Sequence, residues 1–492
     1  MPRLILSIDQ GTTGTTALLM DEDLTICGKG YHEFQQIYPQ PGWVEHNPGD
    51  IWDSVLISID NAIQTSHITP ANIVAIGIAN QRETNLVWNR KTGQPYHNAI
   101  VWQCRRTSKM VEEMKAAGKE PLFQKKTGLL LDPYFSGTKL KWQLDNVPGL
   151  REEVSAGRAI AGTIDTYLIW KMTRGAAHVT DVSNASRTLL MDIESLSWDD
   201  ELCSILRVPG SMLPEIRSCS EMYGHTRNMP GLPNDIPICG LAGDQQAALF
   251  GQACFKAGQA KCTYGTGGFL LMNTGPRPVP SQNRLLTTVA WQVKDTVSYA
   301  LEGSAFIAGS AVKWLRDGLK FFEDASQIET LANQVSDAGG VMVVPAFVGL
   351  GAPHWRSQAR GLITGLTLGT KREHLARATL EGIALQNVEI LQAMVNDSKQ
   401  PLVQLKVDGG ASKNNLLMQM QADYLGCRII RPQMVETTAM GAAFLAGLGA
   451  GIWQSFDDIA GAWKKDREFQ PKIDENERSR ILARWREAVR KA

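Results

Sequence analysis

Asp244 stands where an apolar run, Ile236–Leu241, passes through Ala242-Gly243 into the helical pattern of Ala247–Cys254. A carboxylate at a strand end can take the proton of a hydroxyl that attacks phosphorus; the same position also suits a helix N-cap. A second acid, Asp9, lies at the end of another apolar run, at the lip of Gly11-Thr12-Thr13-Gly14. Glycines free to take positive φ, backbone N–H groups and threonine hydroxyls can cradle an anion there. Taken alone, the stretch fits an ordinary hairpin with a polar turn equally well. About half the chain later the pattern returns as Thr263-Tyr264-Gly265-Thr266-Gly267-Gly268, followed by Phe269-Leu270-Leu271-Met272. A duplicated phosphate hairpin predicts two lobes facing one nucleotide.

Other polar clusters fall where strands should end. Ile73–Ala79 runs into Asn80-Gln81-Arg82-Glu83-Thr84, and ligands of open α/β sheets sit at such ends. Arg82-Glu83 offers a donor fork beside an acceptor, as a polyol requires, or a surface ion pair. Trp102 reads as core by residue type. Gly409-Gly410 makes either a tight strand-to-helix turn or a flat bed for a purine, with the Asn414 amide one turn on. Ser136-Gly137-Thr138-Lys139 lacks the upstream glycine of a P-loop. Gly447-Leu448-Gly449-Ala450-Gly451 follows an Ala-rich helical run, so it is read as helix-end packing and not as a dinucleotide loop.

The elements that must position these residues alternate between strand and helix, which defines an α/β chain. Strands are predicted at Leu86–Trp88, Ala99–Trp102, Val341–Phe347 and Leu405–Val407. Helices are predicted at Pro48–Ile63, from Ser136 through Trp142, from Gly309 or Ser310, and from Ser412 to Leu425. Glu373–Met394 reads as amphipathic, Asp474–Arg490 as a surface helix, and Asp181–Arg187 and Asn228–Asp235 as polar turns. With 492 residues the chain exceeds one core, and two lobes, 1–254 and 255–492, are expected. Lys+Arg and Asp+Glu both total 50, so charge gives no case for nucleic acid or an anionic membrane. No run approaches the length of a membrane span, and Met1–Ile5 leads directly into a strand without a signal segment. The eight cysteines form no C-x-x-C pair. A soluble cytoplasmic protein with reduced thiols and no zinc is expected.

Asp9–Thr13, Asn80–Thr84, Val101–Thr107, Asp132–Trp142, Gly243–Gly251, Thr263–Thr266 and Asp408–Asn415 together resemble the FGGY carbohydrate kinases over nearly the whole length. Trp102–Thr107 and Gly243–Gly251 are the most specific segments. The resemblance implies an actin/hexokinase/Hsp70-like ATPase fold, two RNase H-like lobes with an interlobe cleft closing on ATP·Mg²⁺ and glycerol, and phosphorylation of glycerol to sn-glycerol 3-phosphate. It implies that Arg82, Glu83, Tyr134, Asp244 and Gln245 hold the glycerol hydroxyls while Trp102 and Phe269 cover its carbons. Asp244 would be the base, and Asp9 and Asp244 would serve the metal, Asp9 through water. Thr12, Thr13, Gly14 and Thr266 would line the phosphates, and Gly309, Lys313, Gly410 and Asn414 would hold the nucleotide. Thr16 stands where many members have Arg, and Lys313 where Gln is frequent. Asn228–Asp235 lacks the Gly-Gly-x-x-Arg pattern and the phospho-His loop of some members. Rival readings are a pentulose or gluconate kinase of the same family and an actin-like ATPase without a small acceptor. A homo-oligomer, dimer or tetramer, is expected.

Overall fold

The computed structural model describes residues 3–66, 68–356 and 358–492; Met1 and Pro2 of the expected N-terminal entry lie outside them. A six-stranded sheet runs in the order Ser220–His225, Pro237–Gly243, Ile73–Asn80, Leu4–Gln10, Gly14–Met20, Ile26–Glu33. Its three central strands are parallel, with Gln10 beside Asn80 and Asn80 beside Gly243. Asp9, Arg82 and Asp244 therefore emerge at one edge. The second sheet, of seven strands, repeats the plan: Gln259–Tyr264 pairs antiparallel with Gly268–Gly275 and parallel with Gln404–Asp408. The duplicated hairpin is thus a duplication of topology, with Thr296–Ala305 standing where Ile26–Glu33 stands in the first sheet.

The halves are not separate cores. Helix Thr437–Gly449, late in the chain, packs on strands Pro237–Gly243, Ile73–Asn80 and Leu4–Gln10 of the first sheet and against helix Asp244–Gly251. A Cβ on Gly441 would lie 1.8 Å from the Ala247 carbonyl oxygen, and one on Gly251 2.0 Å from that of Thr437. Only backbone fits at that crossing, which accounts for the Ala- and Gly-rich composition of the helix. Gly447 and Gly449 pack against Trp453 and Cys239, as the helix-end reading expected. The connection at 254/255 falls between helix Asp244–Gly251 and strand Gln259–Tyr264.

Several local expectations need correction. Arg372–Ser398 is helical but buried almost all round from Ala378 to Val388, where it is enclosed by the second core; it is not amphipathic. The strand expected over Val341–Phe347 is confined to Met342–Val344, and the one over Ala99–Trp102 to Ala99–Ile100. Glu302 and Gly303, which by sequence read as a link from Tyr299–Leu301 toward the helix at Gly309, lie inside strand Thr296–Ala305. Asp181–Arg187, expected as a polar turn, holds a short helix, Val182–Ala185, that Asp181 caps, with Asp181, Ser183, Asn184 and Arg187 buried.

Candidate active site

The three parallel strand ends of the first sheet and one strand of the second meet around a cavity of about 130 Å³ lined by Thr12, Arg82, Glu83, Trp102, Tyr134, Asp244, Gln245 and Phe269. A cavity of this size suits a small polyol. All seven residues expected around the acceptor line it. The surface-pair alternative for Arg82-Glu83 fails, since both are buried. So does the core reading of Trp102: its half-buried ring lies edge-on to Tyr134 at 5.6 Å, and its Nε1 donates to Thr12 Oγ1 at 2.9 Å. That bond ties the acceptor wall to the first turn.

Arg82 is held on every side. Its Nη1 and Nη2 donate to the two Glu302 oxygens at 2.6 and 3.0 Å, Nη1 also to Gln246 Oε1 at 3.2 Å, and Nε lies 3.2 Å from Asp244 Oδ1. Nη2 has only a 3.5 Å approach to Tyr134 OH beyond this, leaving a donor for a ligand hydroxyl. Glu83 takes φ 60°, and its Oε1 accepts from Arg187 Nε at 2.6 Å. Burial pushes its carboxyl up while Arg82 and Arg187 oppose the shift. The two arginines hold Glu302 at about 2 against its burial.

Asp244 is the first residue of its helix, whose N-cap is Gly243. Its Oδ1 accepts from Gln245 N, the N2 amide of that helix, at 2.7 Å, so the carboxylate satisfies one of the free N-terminal amides from the first helical position and not from the N-cap itself. The side chain keeps 28% exposure, against 2% for Arg82, and so faces the cavity. Gln245 Oε1 accepts from the buried Lys261.

Glycine 11 closes the first turn through its N–H to Gly14 O, 2.9 Å. Gly14 has no room for a side chain against Tyr31 and His32, and Thr13 is exposed. The second turn rests on the start of helix Gly309–Asp317: Gly309 N donates to Gly265 O at 3.0 Å, and Ser310 N to Thr266 O at 3.1 Å. The Gly309 N–H is thus spent on the turn, leaving the Thr266 side chain exposed. Gly409 needs its φ of 82°, because a Cβ would meet Tyr264 O at 2.6 Å, whereas Gly410 borders open space. Asn414 caps helix Asn415–Leu425 by accepting from Leu417 N at 2.9 Å, which leaves its amide NH₂ for a ligand. Lys313 is exposed, and Thr16 pairs with Asp9 across the hairpin.

Asp9 is pushed up to about 8 by burial, then by the Asp244 and Glu436 carboxylates. This crowding of acids fits a divalent cation, which would reverse it. Among the described residues no three His, Cys, Asp or Glu gather as a metal cage. Magnesium needs none, being held by one or two carboxylates together with substrate phosphates.

Sequence reasoning missed Glu302, Arg187, Gln246, Lys261 and Lys139. The available signal was a lone charge inside an apolar run, as in Ala300-Leu301-Glu302 or Ala260-Lys261-Cys262, which demands a partner when buried. Lys139 Nζ donates to the carbonyls of Glu83 at 3.1 Å and Tyr134 at 2.5 Å. Burial lowers it to about 7. Between pH 7 and the ordinary lysine range the unfolded chain then holds a proton that the folded chain lacks, so stability rises with pH across that window. Melting curves of the wild type and Lys139→Met should separate further, in the wild type's favour, from pH 7 to 9. A constant separation would contradict this.

Two sheets of one topology, each with a Gly-Thr turn at its edge, and a small polar cavity beside a strand-end carboxylate define a two-lobed small-molecule kinase. The N-terminal domain of the FGGY family of carbohydrate kinases matches residues 4–251 and its C-terminal domain residues 260–450. The chain belongs to this family. It is 54% identical to a glycerol kinase of Geobacillus kaustophilus, over 100% of this chain and 99% of that one. The crystal structure of Plasmodium falciparum glycerol kinase with ADP superposes with a TM-score of 0.94 at 41% identity, covering 100% and 98% of the two chains. A ligand-bound xylulose kinase from Lactobacillus acidophilus, 23% identical with a TM-score of 0.88 over 99% and 97%, shares the fold. Among the described residues no helix is long and apolar enough to cross a membrane.

Proposed function

We propose that the chain transfers the γ-phosphoryl group of ATP to glycerol, giving sn-glycerol 3-phosphate and ADP. The observation that carries this is the acceptor cavity: about 130 Å³, with apolar walls from Trp102 and Phe269 and polar groups from Arg82, Glu83, Tyr134, Asp244 and Gln245. A three-carbon triol matches both its size and its alternation. The full-length likeness to glycerol kinases supports the same acceptor.

In this reading Arg82 Nη2 donates to one hydroxyl, the second oxygen of Glu83 accepts from another, and the rings exclude water from the carbons. Asp244 takes the proton of the attacking hydroxyl as its oxygen bonds to phosphorus and the bond to the β-phosphate oxygen breaks in line. The turns at Gly11–Gly14 and Gly265–Gly267 approach the phosphates from the two lobes, and Gly410 and Asn414 border the nucleoside. Asp9 and Asp244 would hold Mg²⁺, which neutralises phosphate charge when bound. Thr16 adds no cation, so the phosphates rely on backbone, hydroxyls and metal. We place the reaction in the cytoplasm, whose reducing medium suits eight cysteines that form no disulfide, and in a homo-oligomer.

A buried partner left without its hydroxyl costs about 1–3 kcal/mol. Propane-1,2-diol and propane-1,3-diol should therefore show kcat/KM lower than glycerol by about 5- to 150-fold. ADP release without acceptor should stay at background. Acceptor-independent turnover at the glycerol rate would favour the actin-like ATPase.

A further inference from the structure

Glu302 comes from the second sheet, yet it is the chief partner of the acceptor site's first-half cations. It takes the bidentate fork of Arg82 at 2.6 and 3.0 Å and also accepts from Arg187 Nη2 at 3.0 Å. Arg187 in turn holds Glu83 through Nε, 2.6 Å, and Arg82 Nε lies against Asp244. Arg82, Glu83, Arg187 and Glu302 are at most 3% exposed, and only Asp244 opens to the cavity. A bidentate guanidinium pair fixes orientation as well as charge, and a desolvated one is not softened by water. Along the strand, Glu302 stands opposite Leu271, two residues beyond Phe269 of the cavity wall.

We propose that Glu302 is a positioning residue for the acceptor: by clamping Arg82 and Arg187 it aims the free Arg82 donor, the free Glu83 oxygen and the Asp244 carboxylate at one small polyol. The acceptor site is then complete only when the second sheet is seated on the first. Both of its second-sheet contributions, Phe269 and Glu302, arrive on neighbouring strands. The inference rests on the reading of the cavity as the glycerol site.

Glu302→Asp keeps the charge, and with it the fold, while withdrawing the carboxylate by one methylene; Glu302→Gln removes the charge. Both are compared with the wild type by glycerol and ADP calorimetry, steady-state kinetics and melting. Losing charge-assisted bonds to two guanidiniums predicts a glycerol KM raised about tenfold in Asp and about a hundredfold in Gln, with ADP affinity within about twofold of the wild type. Glu302→Asp that melts near the wild type and binds glycerol as tightly overturns the proposal. So does an equal loss of glycerol and ADP affinity, which would mark a general packing role. A wild type inert toward glycerol removes the acceptor reading instead, a result visible before any variant is made.

Discussion

Asp244→Asn is expected to lower kcat by about 10²- to 10⁴-fold, the usual contribution of a positioned general base. The amide keeps the shape and the contact from Gln245 N, now 2.7 Å, but cannot take a proton. Nucleotide binding, built from the turn at Gly265–Gly267 and from Gly410 and Asn414, should be nearly unchanged. Arg82 Nε, 3.2 Å from Asp244 Oδ1, loses a charged partner, so acceptor KM should rise modestly. Because Gly243 and not Asp244 occupies the N-cap, the melting temperature should move little. Steady-state kinetics with a melting curve check this, and an Asn variant with wild-type kcat would remove Asp244 from the chemistry.

Arg82→Met should damage both fold and acceptor binding. The guanidinium is 2% exposed and faces Glu302, Asp244 and Glu83, the last at 3.9 Å. Removing it leaves Arg187 as the one ion-pair partner of Glu83 and Glu302 among the described residues. Breaking such a buried pair costs about 3–5 kcal/mol, a large part of the roughly 5–15 kcal/mol that holds a domain together. Lower melting should come with a glycerol kcat/KM reduced at least a hundredfold. Arg82→Lys should recover melting more than activity, since one ammonium cannot reproduce the fork to Glu302. Wild-type melting and acceptor KM in Arg82→Met would contradict the clamp.

What could be read from the sequence was local. Each Gly-Thr turn carries its own signal, apolar runs flanking glycines and hydroxyls, so both hairpins were visible and their repetition announced the duplicated sheet. Asp244 and Arg82-Glu83 were visible because strand ends concentrate polar residues. The partners of those residues were not. Arg82 and Glu302 are 220 positions apart, and nothing near Glu302 names the guanidinium it meets. Asp181–Arg187 reads as a polar turn from its composition, and its burial was not legible because its polar atoms are satisfied by one another and by remote groups, as in the 2.9 Å bond between Ser186 Oγ and Thr288 Oγ1. Helix Thr437–Gly449 declared by its small residues that it packs closely, but not that its floor is the sheet at the opposite end of the chain. The enclosed helix Arg372–Ser398 misled because its ends are polar while its middle is wrapped.

Acceptor choice tests the central claim most directly. With ATP and Mg²⁺ in excess, ADP release by the purified chain is followed against glycerol, xylulose and gluconate, and the phosphorylated product is identified. The cavity predicts the highest kcat/KM with glycerol and a product phosphorylated at a terminal hydroxyl; a higher kcat/KM with the pentulose or with gluconate would contradict it.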